Sequence, residues 1–107
     1  HQEDTAIVEA GTGVLAAFAS ESEQVPGLIA LHVPVIATRC LQKFPHEEEI
    51  VENCVRALGF LAVNVATHSE LKQIYHLQAV LQEVRSKYVQ RTDLDQHLAI
   101  LETILMA

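Results

Sequence analysis

The stretch EEIVENCVRALGFLAVN (residues 48–64) decides the fold of this chain. Its apolar residues recur at intervals of three and four positions, which is the spacing of one buried face of an α-helix. These residues are Ile50, Val51, Cys54, Val55, Leu58, Leu61 and Ala62. The stretch is therefore predicted to be a helix that packs one face against the rest of the molecule.

The same pattern occurs twice more, at a displacement of 43 residues. Residues 7–19 (IVEAGTGVLAAFA) match 50–62, and the stretch 51–62 matches the closing segment 94–105, so that Leu15, Leu58 and Leu101 mark one buried layer. A second segment, residues 31–44, matches 75–88 at a displacement of 44. Any two amphipathic helices align at some offset, but two independent segments sharing one period favour stacked helical repeats.

Proline, charge and polar residues divide the chain into seven predicted helices. They are expected at residues 5–19, 26–32, 35–43, 48–64, 70–75, 77–89 and 94–106. Pro26 and Pro34 suit the first turn of a helix, because proline there loses no hydrogen bond. Ser69 is a candidate N-cap for the fifth helix, and Thr92 or Asp93 for the last.

The run ALHVPVIATRCLQKFPHEEEIVENCVRALGFLA (residues 30–62) resembles the armadillo repeat family. It has that family's order of a short helix, a Val-Pro turn, a second helix ending in paired aliphatics, an acidic loop and a long third helix carrying A-L-x-x-L-A. The resemblance implies an all-α fold, a right-handed α-solenoid of about two and a half armadillo-like repeats with a period of 43–44 residues; HEAT repeats have a related pattern.

Two departures from the family pattern bear on function. The family usually has Gly in the turn between its first two helices, where this chain has Leu31 and Tyr75. Peptide-binding members carry an Asn two places after the Leu of the third-helix motif, and the matching residues here are Ala17, Phe60 and Thr103. The chain is therefore not expected to grip an extended peptide backbone through an asparagine ladder.

The repeat pattern predicts three segments in a single domain. Residues 1–24 are the third helix of a first repeat, 25–67 a complete repeat and 68–107 a second, near-complete repeat. The chain begins inside a repeat and without an initiator Met, so we expect a fragment of a longer protein. Cut ends of a stack would leave apolar residues partly uncovered and favour self-association. The candidates are Val8, Phe18, Leu98 and Leu105.

Composition excludes several classes of function. Half of the residues are hydrophobic, enough for a core without metal or disulfide. The formal charge of −7 disfavours nucleic-acid binding, and the absence of a long apolar run predicts no membrane span. Cys40 and Cys54 are expected to be core thiols, with a disulfide between them as the alternative. A helical repeat protein with so few cysteines is expected in the cytoplasm.

The sequence carries no motif of an enzyme or a metal site. It lacks a glycine-rich phosphate loop, a nucleophile elbow, HExxH and CxxC. Of the six histidines, His32 and His76 occupy equivalent positions, but stacked repeats would hold them roughly 10 Å apart, too far to share one ion. We therefore expect no catalysis, no metal and no cofactor, and rank an enzyme or metal protein behind two other hypotheses.

The leading hypothesis is a scaffold that binds another protein along a concave face formed by the third helices. Three acidic residues take equivalent places on that face, Glu9, Glu52 and Asp95, and would attract a basic or helical partner segment. Further contact candidates are Asn53, Arg56, Phe60 and Gln96. Phe60 is either an exposed anchor or is packed under a neighbouring segment. The second hypothesis is a structural stacking module whose ends dock on further repeats or on a second copy.

Overall fold

The computed structural model describes the backbone of residues 2–107 and the side chains of residues 4–107; the first residue of the predicted segment 1–24 lies outside this range. Over these residues the chain is all-helical and forms no strand, which confirms the all-α class. The helices are α1 (Gln2–Ala19), α2 (Val25–Ala30), α3 (Val33–Lys43), α4 (Glu48–Ala62), α5 (His68–Gln73), α6 (Leu77–Lys87) and α7 (Thr92–Met106). Short 3₁₀ turns, Ser22–Gln24 and Val65–Thr67, lead into α2 and α5.

Helix starts and stops follow the prolines more closely than the predicted caps. Pro26 and Pro34 each lie in the first turn of a helix, and α3 ends before the Phe44–Pro45 pair, as predicted. The predicted N-caps are wrong, because α5 begins at His68 and α7 at Thr92, which places Ser69, Thr92 and Asp93 inside the helices.

Helix α4 lies at the centre of the molecule and packs against α1, α3 and α7. Its predicted apolar face is buried throughout, and Leu58 and Leu101 are fully buried while Leu15 is half-buried. Helices at equivalent places in the sequence pattern pack on each other, because α1 contacts α4, α4 contacts α7 and α3 contacts α6.

Side-chain hydrogen bonds between these helices join residues about one sequence period apart. The Asn53 amide donates to the carbonyl oxygen of Glu9 at 3.1 Å, a separation of 44 residues. The Tyr88 hydroxyl donates to the carbonyl oxygen of Pro45 at 2.7 Å, a separation of 43 residues. Equivalent helices therefore meet through polar contacts as well as apolar ones.

The apolar residues that were predicted to be partly uncovered at the two ends of the chain differ in how far they are buried. Phe18 is 47% exposed and Val8 and Leu105 are half-buried, but Leu98 is buried in the main core cluster with Leu58, contrary to the prediction. Of the ten large hydrophobic residues that are exposed among the described residues, five lie between residues 7 and 36. Helices α6 and α7 contribute only Met106.

The fold bears on two predictions, the absence of a membrane-spanning helix and the burial of both cysteines in the core. Over residues 2–107 no single helix is long and apolar enough to cross a membrane; two bent helix pairs pass by length and composition alone. Both cysteines are free thiols, and Cys54 is buried as predicted. Cys40 is half-buried and packs against the main core cluster, so it belongs to the edge of the core rather than to its interior.

Candidate functional site

Four residues form a narrow uncovered strip along α4. Between residues 50 and 62, every residue is buried except Glu52, Asn53, Arg56 and Phe60. We call these four the α4 strip. Their spacing of three and four positions puts them on one side of the helix, because α1, α3 and α7 cover the others. All four are predicted partner-binding residues, and the structure brings them together on one surface.

Glu52 is held by two arginines. Its carboxylate pairs with Arg91, which precedes α7, and lies 3.6 Å from the Arg56 guanidinium one turn along α4. Arg91 also pairs with Glu48 and donates to Asp93 at 2.8 Å, so it ties the start of α7 to α4. The side chain of Glu52 is 21% exposed. Glu52 is therefore partly covered and already paired within the chain.

The other two predicted acidic residues have different surroundings. Asp95 lies 3.5 Å from the Arg85 guanidinium, which also donates to Glu102 at 2.9 and 3.0 Å. Glu9 is exposed on α1. Two of the three predicted acidic residues thus already have arginine partners within the chain. The three carboxylates therefore do not form one continuous row of unpaired negative charges. The arginine Arg85 lies on α6 and fixes α7 against it.

Asn53 acts between helices. Its side-chain amide donates to the carbonyl oxygen of Glu9 and to the hydroxyl of Thr12 at 3.2 Å, and a Cβ on Gly13 would lie 3.5 Å from the same amide nitrogen. The amide therefore holds α1 against α4, and its hydrogen-bonding capacity for a partner is reduced.

Phe60 follows the second of its two predicted alternatives, because it is half-buried under a neighbouring segment. Its ring meets the ring of His97 edge to face, with the centroids 4.9 Å apart. His97 packs so closely on Gly59 that a Cβ added there would lie 2.2 Å from Nδ1. Burial, with a smaller contribution from Arg56, lowers the pKa of His97. Gln96, the remaining predicted contact, is exposed beside it.

Two grooves flank the C-terminal end of the α4 strip. One, of about 340 Å³, lies between the ends of α1, α2 and α4 and is lined by Ala19, Ser20, Ser22, Val25, Phe60, Val63 and Asn64. The other, of about 370 Å³, lies towards α7 and is lined by Ala62, Val63, His68, Ala99, Ile100, Thr103 and Ile104. Val63 is 69% exposed and lines both grooves. The strip therefore ends in an apolar ridge between two depressions.

Sequence reasoning missed three residues that shape this surface: Arg91, His97 and Val63. His97 was detectable, because it stands 43 residues after Cys54 and so falls on a position the repeat predicts to be buried. Arg91 offered no such signal, since it lies in the link before α7 and its carboxylate partners are distant in sequence.

The described residues were also compared with the requirements of a metal site and with known proteins. Within the described part of the chain, no group of three or more His, Cys, Asp or Glu side chains could hold a metal ion. Comparison with protein-family models, with curated proteins and with solved structures finds no match for this chain.

Proposed function

We propose that this chain is a segment of an armadillo-like right-handed α-solenoid that binds another protein along the α4 strip. Two observations support the repeat architecture. The helices recur in the order short, medium and long, as α2, α3, α4 and again as α5, α6, α7. Several polar contacts join residues 39–44 apart, such as Arg91 with Glu52 and Asn53 with Glu9, as expected for contacts between neighbouring units of a stack.

The observation that carries the binding function is the α4 strip with its two flanking grooves. A helix covered on its remaining sides offers a partner one accessible face, and that face combines an apolar ridge at Val63 with polar side chains at Arg56 and Gln96. Apolar centres with polar rims are typical of protein interfaces. The partner would place apolar side chains in the grooves beside Val63.

Charge favours a basic partner. Around the strip, carboxylates outnumber guanidiniums even after the pairs of Arg56, Arg85 and Arg91 are formed, and Glu9 is exposed without an arginine. A basic segment would be steered towards this face over roughly the Debye length, about 8 Å at physiological salt. Because the Asn53 amide is engaged with α1, contacts are made through side chains rather than along an extended peptide backbone.

A displayed library of helical and extended peptides, selected against the immobilised protein, tests this proposal. Peptides that bind the strip should be enriched in Lys and Arg and should lose at least about tenfold in affinity for Val63→Lys, which removes the ridge and adds a like charge. Gln82→Lys is the matched control, because Gln82 is exposed on α6 and gives the same charge change. If no selected peptide distinguishes Val63→Lys from wild type, the strip is not the binding face.

The repeat architecture has its own test, a second copy of residues 25–67 inserted after residue 67. A stack should accept the extra unit, keep the same helicity per residue in circular dichroism and gain stability, because one more boundary between units is formed. A matched insertion of the same residues in scrambled order should give none of this. If amide hydrogen exchange shows that the inserted copy is present in the protein but its amides are not protected, the inserted unit is unfolded and the repeat architecture is contradicted.

A second candidate function is a stacking module. It is favoured by the exposed apolar residues Ile7, Val14 and Phe18 along α1. Sedimentation would show concentration-dependent association that Val14→Glu abolishes, whereas a monomer at all concentrations would exclude it.

A further inference from the structure

A groove of about 500 Å³ runs between the N-terminal half of α1 and helix α3. Its apolar lining comes from Ile7, Val8, Ile36, Cys40 and Phe44, and its charged rim from Asp4, Arg39 and Lys43. The groove involves no residue of the α4 strip and lies on different helices.

The sequence period shows what kind of element such a groove accommodates. Displaced by 44 residues, Ile36, Cys40 and Phe44 correspond to Val80, Val84 and Tyr88. We call the first set the open face and the second the covered face. The covered face packs against α3, and Val80 is 8% exposed, whereas Ile36 on the open face is 41% exposed. In one unit this face receives a helix of about three turns, and in the other no helix among the described residues covers it.

The charges at the rim indicate the chemistry of an occupant. Arg39 and Lys43 form no ion pair with any described residue, and Lys43 lies over the Phe44 ring at 5.5 Å. In a chain with a formal charge of −7, two cations without a described ion-pair partner beside one apolar groove, with Asp4 as the one described carboxylate on its rim, form a locally basic site. Carboxylates on a docking helix would complement them.

A second copy of this chain fits the groove poorly. In a head-to-tail arrangement the occupant would be α6 or α7, whose exposed side chains are mostly polar, with Met106 the one large apolar residue among them. Such a surface offers little to cover Ile36 and Phe44.

We infer that the groove between α1 and α3 docks an amphipathic helix of another protein, with an aliphatic stripe against the open face and carboxylates beside Arg39 and Lys43. The groove shares no residue with the α4 strip, so the inference goes beyond the proposed binding face; its comparison of the two faces rests on the repeat period of the proposed architecture. The docked helix would cover the open face of α3 in the way that α3 covers the equivalent face of α6.

Two designed helical peptides of about 18 residues, roughly five turns, serve as probes. Both carry a leucine stripe; one has Glu and the other Lys along both flanks of the stripe. Fluorescence anisotropy measures affinity, and alkylation of Cys40, followed by mass spectrometry of the intact protein, reports occupancy because this half-buried thiol lines the groove. The Glu probe should bind at least about tenfold more tightly than the Lys probe, weaken with salt and protect Cys40.

Variants locate the site. Arg39→Glu combined with Lys43→Glu should reverse the preference between the probes, while Lys72→Glu, an exposed unpaired cation on α5, should leave it unchanged. Val63→Lys should leave binding of the Glu probe unchanged, which separates this site from the α4 strip. Equal affinity for both probes, absence of Cys40 protection at saturation, or self-association that the double reversal abolishes would overturn the inference.

Discussion

The covered face of α6 and the open face of α3 carry the same pattern of apolar residues but have different surroundings. On the covered face, Tyr88 uses its hydroxyl to donate across the boundary to Pro45, and Val80 and Val84 are buried. On the open face, Phe44 has no hydroxyl, and Cys40 replaces a valine and remains half-exposed. An apolar pattern thus predicts which side of a helix can be buried, while the presence of a neighbour decides whether it is.

The largest expected effect comes from truncating a core residue of α4, the central helix of the molecule. Leu58→Ala should destabilise the protein by roughly 2–5 kcal/mol, because Leu58 is fully buried in the central helix and truncation leaves a cavity. Urea titration followed by circular dichroism measures the loss. A change below about 0.5 kcal/mol would mean that α4 does not support the two faces as a common core.

The boundary between α4 and α7 should tolerate no added volume. Gly59→Ala is expected to cost about 1–3 kcal/mol, because the new Cβ would overlap His97, including its Cβ at 2.6 Å. Gly13→Ala, at the boundary between α1 and α4, meets only an ordinary contact at 3.5 Å and should stabilise the helix by about 0.5–1 kcal/mol. Thermal unfolding of the two variants should therefore move in opposite directions; equal shifts would refute the difference in packing.

Equivalent truncations on the covered and open faces should have unequal effects. Val80→Ala is expected to cost about 1–2 kcal/mol, since Val80 is buried in the main core cluster. Ile36→Ala removes more atoms but should cost less than about 0.5 kcal/mol, because Ile36 is exposed. Chemical denaturation of both variants gives the comparison. A greater loss for Ile36→Ala would show that the open face is covered in solution.

The thiol of the open face should titrate near neutral pH. A hydrogen bond from Cys54 and the nearby charge of Lys43 lower the pKa of Cys40 to about 7, against the opposing effect of burial. The thiolate is the reactive form, so iodoacetamide labelling of Cys40 should rise with pH and reach half its maximum near pH 7. Cys54→Ala removes the donor and should move this midpoint upward by about one unit, roughly 1.4 kcal/mol. An unchanged midpoint would refute the role of Cys54.

The smallest expected effect distinguishes the turns that lead into the two faces. His32, before α3, is the one non-glycine residue with positive φ among the described residues, at 58°, whereas its equivalent His76 has a φ of −107°. His32→Gly should stabilise by roughly 0.5–1 kcal/mol, because glycine occupies the left-handed region without strain. His76→Gly should not stabilise at all. Differential scanning calorimetry of the pair tests this, and stabilisation by both would contradict it.

Local features of the sequence predicted the helices well. The 3.6-residue periodicity and the proline positions located all seven α-helices to within a few residues, because both act within a single helix. The predicted caps at Ser69, Thr92 and Asp93 failed, since each helix starts two residues earlier than predicted and its N-cap residue makes no side-chain hydrogen bond to the helix. On the candidate surface, the incomplete burial of the four residues of the α4 strip followed from the same periodicity.

Pairing of charges could not be predicted in this way. The sequence pattern places Glu52 on an accessible face, but Arg91 reaches it only because α7 begins beside α4 in space. Two of the three acidic residues predicted for this face, Glu52 and Asp95, thus have arginine partners that the sequence pattern did not indicate.

By itself, the sequence determined where the helices lie, which side of each is apolar and the period at which the pattern returns, because these depend on residues within a few turns of one another. Only the tertiary structure decided which apolar sides are covered. The equivalent residues His32 and His76 have different backbone conformations, and equivalent apolar faces are buried on α6 and open on α3. The physical reason is that burial and ion pairing depend on the neighbouring helix, and equivalent residues in this chain have different neighbours.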